Sequence, residues 1–144
     1  MSAADRLVLD SSIALAWCFA DEKDPYADAI AASFPALEAT VPSLWPLEIA
    51  NALVVGERRG RNTQADTTRW TGFLGSLPIA VDAETTARAW GDTVNLARSQ
   101  NLSAYDASYL ELALRLGLPL ATLDAKLKAA ATAAGVPLYH VPTP

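Results

Sequence analysis

The sequence predicts an α/β sandwich, a mostly parallel β-sheet with helices on both faces. Short apolar runs alternate with longer stretches of helical periodicity, the pattern of repeated strand–helix units. The 144 residues contain no Pro/Gly/Ser-rich linker, low-complexity tract or internal repeat, so one domain is expected over residues 1–144, with its core in residues 7–141. A hydrophobic content of 51% supplies an ample core and excludes a disordered or fibrous chain.

The elements follow in order. Leu7-Val8-Leu9 reads as a strand ending at Asp10, and Ser11 or Ser12 is placed to cap a helix over Ile13 to Phe19. Asp21 to Pro25 breaks that helix, and Tyr26 begins another that reaches Phe34. Thr40-Val41 is a second strand closed by Pro42, and Pro46 suits the first turn of a helix that runs to Arg59 and stops at Gly60. Thr63 caps a helix through Trp70, Phe73 and Leu74. Ile79-Ala80-Val81 reads as a strand, Thr85 to Arg98 as one helix, and Ser103 to Leu116 as another with Gly117 at its exit. Pro119 to Thr122 is a strand, Asp124 to Ala134 a helix ended by Gly135, and Leu138 to His140 a last strand.

Composition narrows the chemistry. Sixteen acidic and eleven basic residues give a net charge of −5, which argues against binding nucleic acid or anionic lipid by bulk charge. One cysteine, Cys18, allows neither an internal disulfide nor a thiolate metal cluster. One histidine, His140, excludes chemistry that needs paired imidazoles. No signal peptide is visible, and no run approaches the roughly 18 apolar residues of a membrane span. A soluble, reducing, cytoplasmic setting is therefore expected. Hydrolytic chemistry in such a chain falls to carboxylates.

Four of them occupy comparable places. Asp10 follows the first strand and Asp124 follows the Leu120-Ala121-Thr122 run, while Glu48 and Asp106 sit in the first turns of helices. Ligands of an open parallel sheet bind at the carboxyl ends of its strands, so these acids can meet at one rim. Crowded carboxylates repel, and a hard divalent cation with oxygen ligands, Mg²⁺ or Mn²⁺, relieves that repulsion. Asn51 lies one helical turn after Glu48 and shares its face. Simpler roles stand beside this one. Ser103-Ala104-Tyr105-Asp106 fits a capping box, Asp10 and Asp124 are placed as N-caps, and Glu48 suits a helix amino end.

At these residues the sequence resembles the PIN-domain family, and within it the VapC toxins of bacterial type II toxin–antitoxin pairs. Val8-Leu9-Asp10-Ser11-Ser12 resembles the first acidic motif and Leu47-Glu48-Ile49-Ala50-Asn51-Ala52-Leu53 the second. The third match is Ser103-Ala104-Tyr105-Asp106-Ala107-Ser108-Tyr109-Leu110-Glu111, and Leu120-Ala121-Thr122-Leu123-Asp124 is similar to the closing motif. The resemblance implies a metal-dependent endoribonuclease. It implies that Asp10, Glu48, Asp106 and Asp124 hold Mg²⁺ (or Mn²⁺), supported by Asn51, Thr122 and Ser12. It also implies products with 5′-phosphate and 3′-hydroxyl ends, a homodimer, and a VapB-like antitoxin as partner.

Other residues read more openly. Arg58, Arg59 and Arg61 around Gly60, with Lys126 and Lys128 after Asp124, are candidate RNA phosphate contacts; solvated helix ends or a grip on a protein partner explain them equally. Trp17, Phe19 and Trp45 are candidates for an apolar groove that takes an antitoxin helix, whereas the four tryptophans are expected mainly in packing. A catalytically silent binding module, an aspartyl phosphatase using Asp10 and a nuclease acting on DNA are the competing functions. Ser12, two residues after Asp10, stands where the common phosphatase pattern has a second aspartate.

Overall fold

The computed structural model describes residues 5–142; the expected domain also takes in residues 1–4 and 143–144, which lie outside the described residues. Four strands, β1 (Asp5–Leu9), β2 (Leu37–Val41), β3 (Ile79–Val81) and β4 (Leu120–Ala121), form one sheet in the order β3-β2-β1-β4. Every pairing is parallel, and helices separate successive strands. The fold is a single α/β domain with a central parallel sheet flanked by helices. In β1, Leu7, Val8 and Leu9 are all fully buried, the continuous apolar run of a strand covered on both faces. Ile79, Ala80 and Val81 on edge strand β3 are half-buried or exposed.

The helices are α1 (Ser11–Cys18), α2 (Pro25–Ser33), α3 (Trp45–Arg58), α4 (Gln64–Gly75), α5 (Thr85–Arg88), α6 (Val94–Gln100), α7 (Ala104–Leu116) and α8 (Ala125–Ala133). Their stops are the expected ones. Gly117 closes α7 at φ 66°, and Gly135 follows α8 at φ 81°, both in the left-handed region that favours glycine. Thr63 and Asp66 complete a reciprocal capping box at the start of α4. Helix α7 runs through the core, with every residue from Ala107 to Ala113 buried. Among the described residues, no helix is long and apolar enough to cross a membrane.

Two elements differ from the sequence reading. The helix expected over Thr85 to Arg98 is α5 and α6 joined by a π-helical segment, Ala89–Thr93, that contains Gly91. The wider turn presents Trp90 outward, 95% exposed, where packing was expected of the tryptophans. The strand expected at Leu138 to His140 is reduced to a single parallel bridge between Leu138 and Leu120. Beyond it the Tyr139 carbonyl accepts from the Tyr26 hydroxyl at 2.5 Å, so the ladder does not continue along β4.

One buried ion cluster ties α7 to the end of β3. Arg115 Nη2 lies 2.8 Å from Asp82 Oδ2, and its Nε lies 2.8 Å from Glu111 Oε2. All three side chains are largely buried, at 14%, 10% and 4% exposure for Arg115, Asp82 and Glu111. The guanidinium holds the Asp82 carboxyl below its ordinary pKa. Arg115→Ala strands two buried carboxylates and is expected to cost about 3–5 kcal/mol in urea melts. A loss under about 1 kcal/mol, the range of an exposed pair, would contradict this account.

Candidate active site

Strand register brings the first and last motifs together. Val8 pairs with Leu120 and Leu9 with Ala121, so Asp10 and Thr122 leave the sheet side by side at its carboxyl edge. The Asp10 amide donates to the Ala121 carbonyl at 3.0 Å, extending that pairing by one step. Asp10 stands at the N-cap position of α1, yet its side chain makes no capping bond. Its Oδ2 instead accepts from the Ser12 and Thr122 hydroxyls, each at 2.6 Å. Those hydroxyls are held in turn by backbone amides: Leu123 N–H donates to Ser12 Oγ and Asp124 N–H to Thr122 Oγ1, both at 3.0 Å. Each hydroxyl spends its one proton on Oδ2, which leaves Oδ1 of Asp10 without a side-chain donor.

The other acids approach the same edge from helix starts. Glu48 is half-buried in the first turn of α3, and its Oε1 accepts a short hydrogen bond from the Tyr109 hydroxyl. Asp106 is half-buried in the first turn of α7. Ser103 Oγ accepts from the Asp106 amide at 3.1 Å, but the reciprocal side-chain bond of a capping box is not formed. The backbone capping there belongs to Ser103. Asp124 does cap: its Oδ1 accepts from Leu127 N–H at 2.8 Å, while Oδ2 has no such donor.

Electrostatics register the convergence. The Asp10 carboxyl is raised above its ordinary pKa by burial first; its two hydroxyl donors oppose this and the Asp124 charge adds to it. Burial also raises Glu48; the Tyr109 hydrogen bond opposes the shift, and the charges of Asp10 and Asp106 reinforce it. Asp106 is raised by burial, then by Asp10 and Asp124, against downward pulls from Lys126 and from the Ser103 hydroxyl. Asp10, Glu48 and Asp106 each feel at least one other of the four acids. Among the described residues, however, no three Asp, Glu, His or Cys side chains stand together as a finished metal cage. The donor set fits a hard divalent cation, because it is all oxygen and Lys126 alone offsets the charge at Asp106. Oδ1 of Asp10, Oε2 of Glu48, Oδ2 of Asp124 and the Asp106 carboxylate are the oxygens available to hold one.

The remaining candidates divide. Asn51 is exposed one turn beyond Glu48. Arg58 and Arg59 are exposed at the far end of α3, about 15 Å along the helix from Glu48 at 1.5 Å per residue. Arg61 is engaged elsewhere: its Nη2 lies 3.0 Å from both Asp21 and Glu22, and its guanidinium sits 4.0 Å over the Phe19 ring. Phe19 and Trp45, expected to line an open groove, are core residues at 3% and 7% exposure. Trp17 is half-buried, packed edge-on to Phe34 and Phe73, with Nε1 donating to the Ala27 carbonyl. Apolar periodicity signals burial of these rings and does not separate a groove wall from a core.

With this geometry in view, the comparisons are direct. The PIN-domain family model matches residues 7–133. The chain belongs to the PIN-domain family. The crystal structure of PAE2754 from Pyrobaculum aerophilum superposes with a TM-score of 0.65 at 26% identity, covering 90% of this chain and 87% of that one. No curated protein matches the chain. Membership gives a fold consistent with the nuclease superfamily, and with it the prospect of hydrolase activity.

A PIN-domain member with four acids at one edge carries a pH signature. A carboxyl whose folded pKa exceeds its unfolded value binds its proton more tightly when folded, so stability rises as pH falls through the folded value. For Asp10, Glu48 and Asp106 that gain is complete near their ordinary values of roughly 4. Asp82, held low by Arg115, works in the opposite sense only below that range. Thermal melts in EDTA are expected to rise from about pH 7.5 to about pH 5. Asp106→Asn is expected to raise the neutral-pH melting point by a few degrees and flatten the rise, since its cap resides on Ser103. Ser103→Ala is expected to cost about 0.5–2 kcal/mol. A melting point that falls steadily below pH 7.5 would contradict the shared repulsion.

Proposed function

We propose that this PIN-domain protein is a metal-dependent endoribonuclease and the VapC-like toxin of a type II toxin–antitoxin pair. The observation that carries the reading is the arrangement of four acids: Asp10 after β1, Asp124 after β4, Glu48 in the first turn of α3 and Asp106 in the first turn of α7. A bound Mg²⁺ or Mn²⁺ supplies water activation and charge neutralisation at a phosphodiester. Asp10, Glu48, Asp106 and Asp124 would hold it directly or through water, with Ser12 and Thr122 fixing the Asp10 carboxylate through Oδ2. Glu48 orients the attacking water and accepts its proton at Oε2. Asn51, one turn on, lies at the margin of this set. Water attack leaves a 5′-phosphate and a 3′-hydroxyl. Attack by the RNA's own 2′-hydroxyl is disfavoured, because His140 is the one imidazole in the sequence.

Substrate binding has to overcome a net charge of −5. Lys126 is the cation close enough to act on Asp106, so it is the proposed phosphate contact beside the reacting bond. Arg58 and Arg59 contact the strand farther out, whereas Arg61 serves its ion pairs. Tyr105, 69% exposed and adjacent to Asp106, offers a ring for a base to stack on. A homodimer and a VapB-like antitoxin complete the proposed assembly. Light scattering that finds only monomer at tens of micromolar, or a neighbouring reading frame that gives no relief from toxicity, would count against those two parts.

Purified protein incubated with total RNA and with Mg²⁺, Mn²⁺ or EDTA, followed by mapping of new 5′ ends, tests the activity. Cleavage with metal, none in EDTA, and a loss of at least roughly 10²-fold in Asp10→Asn and Asp106→Asn are expected. Metal-independent cleavage, or cleavage of DNA in preference to RNA, would overturn the assignment. Lys126→Ala is expected to reduce the slope of log affinity against log salt by about 0.7 on single-stranded RNA, with little change at saturation. An unchanged slope would remove Lys126 from the substrate path.

A further inference from the structure

We propose that Tyr109 is a positioning residue for Glu48: its hydroxyl holds Oε1 and so fixes Oε2 as the oxygen turned toward cation and water. The inference rests on the nuclease reading above. Tyr109 is fully buried on α7, one helical turn after Asp106, and its phenol crosses to the acid on α3. Volume alone does not call for this residue, because phenylalanine fills the same space. What the hydroxyl adds is a single proton, and that proton goes to Glu48. The pairing mirrors the arrangement at Asp10, where Ser12 and Thr122 occupy one carboxylate oxygen and leave the other open. In both acids a neutral hydroxyl selects the working oxygen without adding charge to an already repulsive site. A long, half-buried glutamate gains most from such a tether, since its side chain otherwise samples several rotamers at a position where small displacements are costly to rate. Sequence reasoning names Tyr109 within the third motif without giving it a role. The signal available was a phenol, and not a phenyl ring, on the buried face of α7, because a buried Tyr hydroxyl needs a partner.

The test is Mn²⁺ affinity of the whole chain, titrated by electron paramagnetic resonance without RNA. Tyr109→Phe is expected to weaken Mn²⁺ by roughly 10–100-fold, the usual effect of losing a partner that orients a ligand, while the EDTA melting point falls by only a few degrees. Tyr109→Met, which also lacks the hydroxyl, serves as the second variant and is expected to show the same loss. In the Glu48→Gln background, Tyr109→Phe is expected to change Mn²⁺ affinity no further, because the two residues act as one unit. With RNA and saturating Mn²⁺, Tyr109→Phe lowers kcat and leaves KM unchanged. Wild-type affinity in Tyr109→Phe, or an equal loss with and without Glu48, would overturn the proposal while leaving the nuclease reading in place. A wild-type chain that binds no Mn²⁺ would overturn that reading and this inference together.

Discussion

Because Leu9 pairs with Ala121 in parallel register, the next residues of the two strands, Asp10 and Thr122, emerge in contact at the sheet edge. A shift of one residue in that pairing would turn Thr122 to the opposite face and remove a hydroxyl from Asp10. Much of the candidate site follows from this register. The amides of Leu123 and Asp124 orient the hydroxyls, the hydroxyls occupy one oxygen of Asp10, and Asp124 caps α8 from the same turn. The parallel sheet does the remainder by geometry. Helices that run antiparallel to the strands begin at the carboxyl edge, so the first turns of α3 and α7 deliver Glu48 and Asp106 to it.

The arrangement is electrostatically costly, and the fold tolerates it by separating jobs. Arg115 binds Asp82 and Glu111 and ties α7 to the end of β3. At its other end α7 carries Asp106 with no arginine beside it. One helix thus anchors through an arginine-neutralised cluster and presents an acid offset only by Lys126. Neutral donors on Asp10 and Glu48 orient those carboxylates without cancelling their charge, which keeps the site attractive to a cation. That is the physical ground for reading the acids as a binding device and not as surface charge.

Much of this was legible in the sequence. Apolar runs ending in acids marked β1 and β4, and Pro46, Gly117 and Gly135 marked helix boundaries because their backbone preferences are local. The four acids were singled out for the same reason: their places at strand ends and helix starts are one-dimensional facts. Partnerships across the fold were not legible. Nothing local distinguishes Arg61, held by Asp21 and Glu22, from Arg58 and Arg59. Nor does periodicity show that Phe19 and Trp45 are interior, or that a π turn carries Trp90 outward. The capping alternatives were settled only by side-chain geometry: Asp124 caps, Asp106 leaves that task to Ser103, and Asp10 makes no capping bond.

The proposed nuclease site requires Asp10, Glu48, Asp106 and Asp124 to bind divalent cation together. Side-chain carboxyl carbons of the isotopically labelled protein, observed by NMR during a substoichiometric Mn²⁺ titration, test it residue by residue. The account predicts that these four signals broaden together and first, while those of Asp82, Glu111 and Asp66 stay sharp. Broadening that begins at other carboxylates, or that reaches Asp10 without Glu48 and Asp106, would contradict it.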